Sequence, residues 1–168
     1  MRWELLFADL ESRLEVAERV DLDVEIEERT RDERAAVTLA GRLAAHRGGP
    51  VRLVLRGGSE VRGAVADVAG SWVLLDVGDG QALVPLAAVA AADGLGHAAT
   101  VLGEVRLRLT VAAALRELAE AGLAVAVETD GGRWRGIIGA VGADHLDLVT
   151  DAGSVAIASA ALLAVRAR

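Results

Sequence analysis

The 168-residue chain contains no cysteine, which excludes disulfides, thiolate metal sites and thiol nucleophiles and leaves the redox state of its compartment open. Lysine, asparagine and tyrosine are also missing, and all 18 basic residues are arginine. Abundant Ala, Val, Gly and Arg beside the missing Lys and Asn indicates GC-rich coding, a genomic cause and not a functional one. Three Trp and one Phe are the only aromatics, so few side chains could stack on bases. No apolar run approaches the ~18–20 residues of a membrane span. The opening Met1-Arg2-Trp3-Glu4 leads into an acidic amphipathic stretch, not a basic flank and apolar core. A soluble, cytoplasmic protein without membrane association is therefore expected. The net charge of −7 repels phosphate overall, so a nucleic-acid role would need a local arginine patch. At 53% apolar residues the chain can bury a real core.

What is present is a repeat. Val61-Arg62-Gly63-Ala64-Val65-Ala66-Asp67-Val68 returns as Trp134-Arg135-Gly136-Ile137-Ile138-Gly139-Ala140-Val141, and the match continues through Leu75/Leu148, Gly80/Gly153 and Val84/Ile157. The spacing is constant from Val61 to Ala92. One residue is lost in the turn before it, between the first and second strands. Turns tolerate such a change, whereas strand register decides which side chains face inward.

The elements follow from periodicity. Trp3, Phe7, Leu10 and Leu14 recur at helical steps and predict a helix over about residues 2–19. Residues 20–26 fit a strand, a linker or the start of a second helix; a helix from about Glu25 to His46 is preferred, ended by Arg47-Gly48-Gly49-Pro50. Strands are expected over Val51–Leu55, Val61–Val68, Trp72–Leu75, Ala82–Val84 and Val89–Ala91, with a 3₁₀ turn after Pro85. The second copy should run from a helix over Val111–Glu120 through strands near 123–127, 134–141, 145–149, 155–157 and 162–165.

A helix followed by five short, bent strands with a glycine inside the second resembles the Sm-like fold, which shares much of its pattern with SH3-like barrels. The residues carrying the likeness are the alternation of the first strand, Gly63 and Gly136, and the apolar third strands Trp72-Val73-Leu74-Leu75 and His145-Leu146-Asp147-Leu148. The resemblance implies an α+β chain of two tandem small five-stranded β-barrels, each preceded by a helix, plus an N-terminal helix. Its segments would be 1–24, 25–96 and 97–168. It also implies edge pairing between fourth and fifth strands. One such pairing can be satisfied inside the chain, and outer edges are expected at Ala82–Val84 and Leu162–Val165, covered by N-terminal helices or by self-association. Met1-Arg2-Trp3-Glu4-Leu5-Leu6-Phe7 and Val141-Gly142-Ala143-Asp144-His145 further resemble a group of actinobacterial proteins, some labelled Fis-type regulators. The C-terminus shows no basic helix-turn-helix to accompany that label.

Little in the chain carries chemistry. The resemblance implies an RNA pocket built from an Asp-x-x-Asn element and an Arg-Gly element. The corresponding loops read Ala69-Gly70-Ser71 and Gly142-Ala143-Asp144, then Pro85-Leu86-Ala87 and Ala158-Ser159-Ala160, with neither asparagine nor arginine. Arg133-Trp134-Arg135 is the best basic candidate, with Arg62 a thinner counterpart; alternation makes Trp134 a core residue between solvated arginines. Asp144-His145-x-Asp147 lacks the three or four converging donors of a metal site. No nucleophile elbow, P-loop or dinucleotide fingerprint occurs. The sequence thus predicts a non-enzymatic interaction or assembly module with no catalytic residue, metal or cofactor. Candidate contacts are Arg133, Arg135, Arg62, Trp3, Phe7 and Leu10, and Gly63, Gly136, Trp72 and Trp134 are structural. A protein partner or self-association is expected. The alternative is a nucleic-acid-binding regulator using the arginine edge.

Overall fold

Thr38 opens the first helix because its hydroxyl accepts a hydrogen bond from the Gly41 amide at 3.0 Å while its own backbone is extended. The computed structural model describes residues 36–167. The predicted helix over 2–19, the run 20–26, the first part of the second helix, and Trp3, Phe7 and Leu10 lie outside the described residues. Within them the second helix begins at the Thr38 cap, so Ala36 and Val37, expected to be helical, are not.

The helices are α1 (Leu39–Ala45), α2 (Glu104–Arg108) and α3 (Val111–Glu120). Thr110 caps α3 through a hydrogen bond from the Ala113 amide at 3.1 Å. The strands are β1 (Pro50–Leu55), β2 (Glu60–Val68), β3 (Trp72–Val77), β4 (Gly80–Pro85), β5 (Val89–Asp93), β6 (Ala124–Thr129), β7 (Gly132–Val141), β8 (His145–Thr150), β9 (Gly153–Ala158) and β10 (Leu162–Ala167). Alternation is clearest in β1 and β6, which bury Val51, Leu53 and Leu55, and Val125 and Val127, whereas β4 and β10 bury consecutive residues, Ala82–Pro85 and Leu162–Val165.

The expected α+β arrangement of two separate five-stranded barrels does not form. Among the described residues all ten strands join in a single antiparallel sheet, ordered β5-β1-β2-β3-β4-β10-β6-β7-β8-β9, with only short helices beside it. The reason lies at the middle. β4 and β10 are short, apolar strands, and they pair with each other, Val165 opposite Leu83 and Ala167 opposite Gln81. The segments read as outer edges, Ala82–Val84 and Leu162–Val165, are thus the central junction. β5 and β9 are the strands left at the ends.

Side chains follow the same exchange. Leu163 and Ala164 of β10 pack into the core built by α1, β1, β2 and β3. Ala69, Trp72 and Leu83 pack into the core built around Leu115, Val127, Ile138 and Leu148. Each repeat therefore completes the other's core, and Thr38–Arg168 forms one compact unit.

The glycines inside β2 and β7 mark a close approach. A β-carbon on Gly63 would overlap the Asp76 carbonyl oxygen, and one on Gly136 the Val149 carbonyl oxygen. Just beyond each glycine the register shifts, between Val65 and Asp67 in one repeat and between Ile138 and Ala140 in the other. A bulge at that point bends the strand and raises its twist.

Candidate interaction surface

Among the described residues two kinds of surface stand out: charged side chains on the sheet and the edges of the sheet. The charges are mostly spent internally. Arg47 and Arg106 both bind Asp67, the latter at 2.5 Å; Arg52 reaches Glu60 at 3.2 Å and Asp93 at 3.0 Å; Arg62 bonds Glu60 at 2.9 Å. Arg56 donates to the Ala160 carbonyl at 2.8 Å and lies 3.7 Å from Asp130, linking the two repeats. An arginine so engaged has less charge to offer a phosphate, so the dispersal and pairing of these side chains work against a basic patch.

Glu128, on β6, is the one buried acid among the described residues. Arg166 of β10 donates to it at 2.7 Å and Arg133 of β7 lies 3.3 Å away. Burial pushes the Glu128 carboxyl up, but the hydrogen bond from Arg166 and the charges of Arg166 and Arg133 outweigh it and hold the group below the usual carboxylate range. Asp67 behaves alike: burial raises it, and Arg106, the Val68 amide and Arg47 bring it lower. A depressed folded pKa stabilises the fold above the unfolded value of about 4.3 and loses that contribution as pH falls through the lower folded value. We expect Arg166→Ala to cost about 2 kcal/mol near neutral pH, because Glu128 keeps only the exposed Arg133. The difference from wild type should shrink as pH falls through the lowered folded value, where Glu128 takes a proton. Urea unfolding across pH measures it; a constant difference down to acid pH would remove the pair from the account.

Arg133 and Arg135 are exposed on β7, while Trp134 between them is half-buried against the second core. Arg62 is exposed on β2, bound to Glu60. Trp72 is buried at the junction. His145, the repeat counterpart of Trp72, is exposed and hydrogen-bonds Asp144 at 2.8 Å; that bond raises the imidazole above its ordinary value. His145 thus stays exposed at the strand end where its counterpart Trp72 is buried. Among the described residues no three His, Cys, Asp or Glu side chains converge as metal ligands, and no helix is long and apolar enough to cross a membrane.

A cleft of about 620 Å³ lies at the junction, between the β3–β4 turn of the first repeat (Val77, Asp79, Gly80) and the β6, β7 and β10 strands of the second, including Arg135 and Arg166. Arg135 has no ion pair among the described residues. A second cleft, of about 800 Å³, lies beside the β5 edge and is lined by Val51, Arg52, Arg62, Gly63 and Asp93 of the first repeat alone.

Among the described residues the edges of the sheet are β5 and β9. Ala90 and Ala91 on β5, and Ser154, Ala156 and Ala158 on β9, are exposed. Neither strand contains proline or lysine, the usual guards of an open edge, and the only charge on either is Asp93 at the end of β5. The loops that would hold RNA by resemblance are differently placed in the two repeats. In the first, α2 and the residue after it lie on the Ala69–Ser71 loop: the Gly70 amide bonds the Arg106 carbonyl at 3.0 Å and the Ser71 hydroxyl the Leu109 carbonyl at 3.1 Å. Sequence reasoning missed both the Glu128 pair and the β5 and β9 edges, for which alternation carries no signal.

No protein-family model matches the chain, and none of the curated proteins matches it in sequence.

Proposed function

We propose that the chain is a non-enzymatic interaction and assembly module of the cytoplasm that works through the edges of its sheet. The observation that carries this reading is the pair of strands β5 and β9, which no other described strand pairs on their outer side, lined by small side chains and lacking the guards that keep other edge strands apart. Unpaired backbone donors and acceptors are a template for another strand, and small side chains leave that template accessible. The ion-paired arginines support the same reading, since they leave little free positive charge.

A nucleic-acid regulator is the second reading, and Arg135 favours it: the side chain is exposed, without an ion pair among the described residues, and borders a cleft with Arg166. Such contacts would be few and salt-sensitive. The pocket implied by the Sm-like resemblance lacks its asparagine and its arginine. Titration of the chain with labelled U-rich and A-rich RNA and with duplex DNA, near physiological salt, decides between the two. We expect weak binding without sequence preference, lost as salt rises. Submicromolar, sequence-dependent binding that Arg135→Ala abolishes would replace the assembly reading with the regulator.

A further inference from the structure

Residues opposite each other on antiparallel neighbours share a face of the sheet, so a row of side chains can be followed across three strands and compared with its repeat counterpart. In the first repeat the row is Asp93, Arg52 and Arg62, across β5, β1 and β2, with Glu60 beside it. Its charges close on themselves: Arg52 reaches Asp93 at 3.0 Å and Glu60 at 3.2 Å, and Arg62 reaches Glu60 at 2.9 Å. The second repeat sets Arg166, Ala126 and Arg135 in the same row, across β10, β6 and β7, with Arg133 in the place of Glu60. Both acids of the first row are arginine here, and its central arginine is alanine.

The exchange leaves charge and room at one spot. Arg135, Arg166, Ala124 and Ala126 line the junction cleft of about 620 Å³, and Val77 and Asp79 of the β3–β4 turn close it on one side. Neighbouring strands lie about 4.8 Å apart, so the two arginine backbones stand roughly 10 Å from each other with only the Ala126 methyl between them. Glu128 accepts from Arg166 at 2.7 Å and lies 3.3 Å from Arg133, which holds the Arg166 guanidinium in place while engaging one edge of its donor fork. Around the cleft, three arginines (Arg133, Arg135 and Arg166) meet two acids (Glu128 and Asp79), so the described side chains carry one positive charge in excess. No aromatic side chain is among those lining it.

We propose that the junction cleft binds a small aliphatic carboxylate, its charged group seated over Ala126 between Arg135 and Arg166 and its hydrocarbon part against Val77 and Ala124. This site is independent of the assembly reading. A carboxylate matches the planar donor fork of a guanidinium, and its single negative charge matches the single excess positive one. A dianion would overshoot that excess beside Glu128 and Asp79. With no ring to stack on, the cleft suits a hydrocarbon chain better than a base. Its size and its place where two repeats meet are those of a small-molecule site.

NMR titration of the full chain with sodium hexanoate at constant ionic strength tests this. Saturable shifts are expected at the amides of Ala124, Ala126 and Gly136 and at the Nε–H groups of Arg135 and Arg166. Hexanamide, which keeps the chain and lacks the charge, should give none, and sulfate, a dianion, should bind about tenfold more weakly or not at all. Arg135→Gln should weaken hexanoate about tenfold or more with an unchanged thermal midpoint, because Arg135 is exposed and has no ion pair among the described residues. Ala126→Val, which fills the floor with a residue suited to a strand, should abolish the shifts while the rest of the spectrum stays that of the folded chain. No saturable response to hexanoate, an equal response to hexanamide, sulfate binding as tight as hexanoate, or binding undiminished in Arg135→Gln would each overturn the proposal.

Discussion

Replacing Gly136 with valine should lower the stability of the protein by about 3 kcal/mol or more, and its thermal midpoint by roughly 10 °C. The β-carbon alone would overlap the Val149 carbonyl oxygen and stand 3.2 Å from Leu148 Cγ. A carbonyl held in a ladder cannot turn aside as a flexible side chain would, so β7 and β8 must separate next to the bulge at Ile138–Ala140. Gly63 meets the same obstacle in the first repeat, with Val77 Cγ1 a further 2.9 Å contact. Gly63→Val should therefore cost a similar amount. Gly96→Ala is the control, since nothing lies within 4 Å of its β-carbon and its backbone is not left-handed. Thermal melts of the three variants decide the matter: two large losses and one near-neutral change are expected. A Gly136→Val protein that melts with wild type would mean that the second and third strands do not approach as closely as described.

The other large effect is expected at the junction. Leu83 is buried at 4% exposure, opposite Val165, and its side chain belongs to the core of the second repeat although its backbone belongs to the first. Leu83→Asp removes that apolar contact and buries a carboxylate without a partner, at a cost of about 4 kcal/mol or more. Because Leu163 and Ala164 pass the other way into the first core, separation of β4 from β10 opens both. We expect one substitution in the first repeat to destabilise the second. Calorimetry of Leu83→Asp reads this directly. Retention of a second-repeat transition at the wild-type temperature would show two independent units.

The sequence carries a good deal of this architecture. Alternation located the strands, since burial of one face writes itself into every second residue. Thr38 and Thr110, as caps, were less visible: Thr38 follows a run that keeps helical spacing on both sides of it, and only the cap hydrogen bond shows where the helix starts. Gly63 and Gly136 were legible as bends because both stand inside apolar strands at the same repeat position. What alternation does not encode is the neighbour. It leaves open whether β4, which buries the consecutive residues Ala82–Pro85, meets its own β5 or the β10 of the next repeat. That choice was made by Leu83, Trp72 and Leu163, each of which fills the opposite core. The same gap hid the edges, the Glu128–Arg166 pair, whose members stand 38 positions apart, and α2, too short at five residues to show a period.

Residue-resolved amide hydrogen exchange on the dilute full chain tests the continuous sheet most directly. If β4 and β10 are joined as the middle of one sheet, the amides of Leu83 and Val165 should be protected as strongly as those of β2 and β7, with exchange requiring global opening, while β5 and β9 exchange faster. Equally fast exchange in β4, β5, β9 and β10, beside slow exchange in the strands between them, would contradict it: each repeat would then stand alone, with no junction in the chain.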